Sequence, residues 1–159
     1  MNHFNRSLSW ILVFGIVGLH FHEKGYGPVY WVFLALQFLV YPHVVYLRAR
    51  RSTEQLSAEI QNMLLDAACF GVWGAVLGFP LWIIHTLVVA GCLNMAAFRG
   101  ARGALQALLA VAVGALLVYA VGGAGPLAFG TSLTVSALCM AALLIYLVMF
   151  ARSTHTRTI

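Results

Sequence analysis

Charge is almost absent from this chain, and the little there is falls between long apolar runs. Asp, Glu, Lys and Arg make up 8% of its 159 residues against 62% hydrophobic ones. A water-soluble domain of this size needs far more polar surface, so the composition reads as an all-α membrane protein. A span takes about 17–25 mostly apolar residues. The chain divides into about six apolar segments, at residues 8–21, 28–47, 60–79, 81–98, 104–121 and 131–151, of which the first falls short of that length. The first is the shortest and holds Gly15 and Gly18. It reads as a span and not as a cleaved leader, because only Arg6 precedes it and His20-Phe21-His22-Glu23 stands where small residues would mark cleavage.

Topology follows from the nine Lys and Arg residues. With both termini in the cytosol, Arg6, Arg48, Arg50, Arg51, Arg99, Arg102, Arg152 and Arg157 lie inside and only Lys24 lies outside. The reading is therefore a six-helix bundle, one membrane domain over residues 1–159. Arg48, Arg50, Arg51, Arg99 and Arg102 are placed to touch lipid phosphates. The net charge of +5 is spread over four inner segments, which speaks for headgroups and against nucleic acid. Cys69, Cys92 and Cys139 each lie inside an apolar span and read as packed thiols with no disulfide framework.

The outer connections are short: His22 to Gly27, the reversal Gly78-Phe79-Pro80, and the uncharged stretch 122–130, expected to be a flexible loop. On the inner side, Ser52-Thr53-Glu54-Gln55 has the spacing of a capping box, so the third helix is expected to begin near Thr53. Gly74 and Gly78 have the G-x-x-x-G spacing of a close helix contact.

The polar residues sort into two layers. Near the inner side, His43, Asp66 and Asn94 stand at similar depth on three successive spans, counted at 1.5 Å per residue. Glu59, Asn62, Asp66 and Trp73 follow one stripe of the third helix, at i, i+3, i+7 and i+14. A carboxylate such as Asp66 costs about 2.5–3.5 kcal/mol at the centre of a span and must face a partner, for which His43, Asn94 or Arg99 are candidates. Three readings stand side by side: a clamp between helices, a switch whose pairing changes, and part of a proton path. Near the outer side, His20, His22 and His85 keep company with Tyr26, Tyr30 and Trp31. They read as interface anchors, with a metal or haem site as the alternative. No G-x-S-x-G, H-E-x-x-H or Walker pattern occurs, so no catalytic residue and no cofactor is assigned.

The stretch 41–73 resembles the membrane-associated sensor domain of the second type, found at the amino terminus of bacterial adenylate and diguanylate cyclases. The likeness rests on Tyr41-Pro42-His43, on Leu56-Ser57-Ala58-Glu59-Ile60-Gln61-Asn62, on Asp66-Ala67, on Gly71-x-Trp73 and on Cys92-Leu93-Asn94. It implies a sensory and anchoring domain that positions, oligomerises and regulates a nucleotide cyclase attached after the sixth span. That catalytic domain is not within these 159 residues, so the chain is expected to be part of a longer protein. The implied partners are the bilayer, a second copy of the chain, the cyclase in cis, and a lipid-like or hydrophobic ligand. The alternative from another class is a membrane redox or metal protein built on the outer histidines.

Overall fold

The computed structural model describes residues 3–155, with side chains from Ser7 to Arg152. Among these residues every regular element is a helix: α1 His3–Lys24, α2 Pro28–Arg51, α3 Gln55–Leu77, α4 Leu81–Ala120 and α5 Leu133–His155. Four of them, α2 to α5, are long and apolar enough to cross a membrane. The 22 residues of α1 have the length, but the polar residues at both of its ends dilute its hydropathy. The chain divides into two compact units, Met1–Thr53 with Ser132–Ile159, and Glu54–Thr131.

In the first unit α1 and α2 form an antiparallel hairpin. Gly25, at φ +70, and the extended Gly27 turn the chain, and Pro28 starts α2 in the first turn of the helix, where a missing N–H is harmless. The α2 helix widens into a π-helical turn at Leu36–Val40, where the Tyr41 N–H reaches back five residues to the Leu36 carbonyl. The cause is Pro42. It has no N–H to donate, and in a regular helix its ring would press on the carbonyl of Phe38; the wider turn moves that carbonyl aside. Trp10 of α1 packs on this turn, 5.2 Å from the ring of Phe38 and 5.8 Å from that of Tyr41. At the other end of the hairpin Ser132 caps α5. Its hydroxyl accepts from the Val135 N–H and donates to Glu23 Oε1 at 3.0 Å, which ties the start of α5 to the end of α1.

The second unit is built from α3 and α4. A straight helix of 40 residues would run about 60 Å, and residues 92 and 104 would stand about 18 Å apart along it. Instead the Cys92 thiol lies 3.8 Å from the Ala104 carbonyl. The chain reverses at Gly100, whose φ of 60 and ψ of −148 leave the helical region, so α4 is two antiparallel arms, 81–99 and 101–120. The sequence suggests a turn over 98–103, but the helix continues on both sides of Gly100. Arg99 braces the reversal by donating from Nη1 to Gln106 Oε1 at 3.1 Å.

These two arms and α3 enclose a core of Met63, Ala67, Met95 and Ala107, with Ile60, Leu64 and Phe98 packed around it. The closest approach is between backbones. A Cβ on Gly71 would collide with the Val111 carbonyl, and one on Gly114 with the Ala68 carbonyl. Val111, Gly114 and Ala115 thus line the second arm where it meets Ala68 and Gly71 of α3, a close contact that glycine and alanine allow.

The G-x-x-x-G pair named from sequence does other work. Gly74 lies under the side chains of Phe79 and Ile84, and Gly78, at φ +74, ends α3. Phe79 N–H bonds to the Gly74 carbonyl at 2.7 Å and Gly78 N–H to that of Ala75 at 3.4 Å, the paired bonds of a Schellman cap. Pro80 then prevents the helix from continuing.

Two further expectations are corrected. α3 begins at Gln55 with Glu54 as its N-cap, and no side chain makes the capping bond, while Ser52 closes the end of α2. The stretch 122–130 is no flexible loop. Gly125 N–H bonds to the Ala75 carbonyl at 3.0 Å, Ala128 N–H to that of Gly78 at 2.8 Å, and the Leu81 N–H to that of Phe129 at 3.0 Å. It is a strap that gives the Ala75 carbonyl a second donor beside the Gly78 N–H, and satisfies the Gly78 carbonyl at the end of α3 and an N–H left over at the start of α4.

Candidate functional site

The polar stripe of α3 is buried inside the second unit. Asn62 is fully enclosed, and Asp66 and Trp73 are buried on the same flank of the helix, with Glu59 half-buried nearer its start. Burial follows from spacing. Positions 62, 66 and 73 share the side of α3 that also carries Met63 and Ala67 into the core, so the polar groups go in with the apolar ones.

Met95 of the first arm packs in that same core, which sets its neighbour Asn94 at the level of the Asn62 and Asp66 turn. Asn94 is half-buried. The structure thus brings an acid and two amides to one level of the second unit. A carboxylate buried at that level needs a partner, because an ionised group away from water costs several kcal/mol unless paired.

His43 lies in the first unit, one residue after the proline that shapes the π turn, and its side chain is exposed. Arg48, Arg50 and Arg51 follow on the last two turns of α2 and are exposed, as are Arg99 and Arg102 at the reversal in α4.

The three histidines of the other layer have different surroundings. His20 is buried, its ring 6.2 Å from that of Tyr26, in a cluster where Phe21 meets Tyr26 at 4.6 Å, Tyr30 at 6.1 Å and Trp31 at 5.7 Å. His22 is exposed, and His85 is exposed with its ring edge-on to Trp82. Burial, and then the neighbouring Tyr30, push the Tyr26 phenol above its ordinary value, so it stays neutral in the turn between α1 and α2. Among the described residues no three His, Cys, Asp or Glu side chains gather as a metal site would need. Cys69 and Cys92 are half-buried thiols and Cys139 a buried one.

Sequence reasoning missed Gly114, Gln106 and the Ser132–Glu23 pair. The small residues of the second arm, at 107, 114 and their neighbours, were a signal for the first. Nothing local marks the others, because each joins residues that only the fold brings together.

A family model, the MASE2 domain, matches residues 2–90, more than half of the chain. The chain belongs to the MASE2 domain family. The match takes in the whole polar stripe of α3 and the motif residues from Tyr41 to Trp73. It ends within the first arm of α4, before Cys92-Leu93-Asn94. Among curated proteins this MASE2 domain is similar to the probable diguanylate cyclase DgcC of Escherichia coli (strain K12), at 30% identity over 92 residues. The protein of the same name from Escherichia coli O6:H1 (strain CFT073) matches equally, at 30%. The alignment covers 57% of this chain and 25% of each relative, so the match spans about a quarter of the length of those cyclases. No solved structure matches the chain.

Proposed function

We propose that this MASE2 domain anchors a nucleotide cyclase in the bacterial inner membrane and regulates it, with diguanylate cyclase as the output. The observation that carries this is the alignment to a quarter of two probable diguanylate cyclases, which leaves most of each relative outside it. In this reading α1, α2, α3, the two arms of α4 and α5 are six spans. Both termini are cytosolic, and the arginine-bearing ends face the inner headgroups. The second arm and α1 supply the two passes that the four long helices alone would lack.

Regulation is assigned to the layer of Asn62, Asp66 and Asn94, flanked by Glu59 and Trp73, with His43 at the inner end of α2. Two packings of α3 on α4 that differ in how the Asp66 carboxylate is partnered would form the two states. A hydrophobic ligand entering from the lipid shifts them only if it binds one better. A dimer follows from the resemblance, since nucleotide cyclases work by bringing catalytic domains together.

The test is a chimera in which this chain replaces the matching quarter of DgcC, with cyclic di-GMP measured in cells. The chimera is expected to be membrane-bound and active. Asp66→Asn is expected to change its output severalfold at equal membrane level. An Asp66→Asn chimera that inserts normally and gives unchanged output removes the switch and leaves an anchor. A chimera that inserts but is silent removes the cyclase reading.

A further inference from the structure

The connection from α4 to α5 departs from what a loop in water looks like. Residues 121–130 hold no Asp, Glu, Lys or Arg. They expose large apolar side chains instead: Val121 at 80%, Leu127 at 63% and Phe129 at 58%. Yet much of the backbone is satisfied. The N–H groups of Val121, Gly122 and Gly123 bond back to the end of α4, those of Gly125 and Ala128 to the cap of α3, and the Phe129 carbonyl accepts from Leu81. Each N–H paired inside the protein no longer needs water, which lowers the cost of bringing irregular backbone up to the edge of the hydrocarbon, although not into it.

The strap also stands at the right level. It lies at the end of the second unit away from Arg99 and Arg102, past the 23 residues of α3, which span about 35 Å against a hydrocarbon core of about 30 Å. Its exposed side chains continue the apolar wall of the second arm, where Leu116 and Leu117 are exposed in the turn before Val121. Tyr119 and Trp82, both part-exposed at this end, have the amphipathic rings that favour a membrane boundary.

We propose that residues 121–130 are a lipid-binding strap, seated at the boundary of headgroups and hydrocarbon in the leaflet opposite the arginine turn, with the phospholipid surface as its partner. The strap runs straight into Ser132, the cap of α5, so the state of that leaflet has a covalent route to the last helix. The proposal requires only that the chain is a membrane domain, not that it regulates a cyclase.

The test places the photoreactive residue p-benzoylphenylalanine at Leu127 or Phe129, with Leu117 as the lipid-facing reference and Thr53 as the aqueous one. The whole chain is irradiated in vesicles of phosphatidylethanolamine and phosphatidylglycerol, and lipid adducts are read by mass spectrometry. Adducts at 127 and 129 are expected at about the yield of position 117 and roughly tenfold above position 53. Yields like that of position 53, or adducts to another protein, overturn the proposal. Hydrogen exchange on the unaltered chain gives a second reading. The amides of Gly125 and Ala128 are expected to exchange far more slowly than that of Thr53, and equal rates also overturn it.

Discussion

Gly71 and Gly114 are where single atoms matter most. Each presses its α-carbon on a backbone carbonyl of the facing helix, so a methyl group has nowhere to go unless α3 and the second arm separate. Gly71→Ala or Gly114→Ala is expected to destabilise the second unit by about 1–3 kcal/mol, the usual cost of overpacking. The second change should cost less once the first has parted the helices, because the two sites share one contact. Unfolding of the purified domain in detergent measures this. Gly15→Ala is the control, since a Cβ there meets nothing within 4 Å, and it should stay within about 0.5 kcal/mol of the parent. At this scale the sequence was partly legible. The stripe from Asn62 to Trp73 could be drawn from spacing alone because a helix fixes which residues share a side. The choice between the Gly71 and Gly74 faces could not, because both follow the same arithmetic and only the facing helix selects one.

Among the elements, α4 and α2 show how one residue reshapes a helix. Gly100 carries the reversal of α4 in a conformation close to the region that only glycine enters readily, and its surroundings are open. Gly100→Ala is therefore expected to lose about 1–3 kcal/mol through backbone strain alone. Thermal unfolding should show that loss with the arm contacts otherwise unchanged. An undiminished melting temperature would mean the turn has another route. Pro42 acts through what it lacks, and the π turn before it displaces the second half of α2, with His43 and Arg48, from where a regular helix would put them. The capping box at Ser52 failed because the end of α2 claims that residue first, a competition between neighbouring elements that a local motif does not register.

For the whole molecule, the distribution of arginines predicts which connections lie on each side of the membrane. Alkaline phosphatase joined after Leu127 is expected to be active, and joined after Arg102 inactive. The reverse pattern would overturn the assigned orientation, and equal activity would deny that the second arm crosses. The sequence by itself determined that the chain is helical, membrane-embedded and of the MASE2 family, because apolar run length, scarce charge and one ungapped motif stretch are all properties of neighbours along the chain. Only the tertiary structure decided that 122–130 is a strap and not a loop, that the close contact runs through Gly71 and Gly114, and that Glu23 fastens the start of α5. Each of those joins residues far apart in sequence, where what settles the outcome is which carbonyl is left without a donor and which helix face finds room.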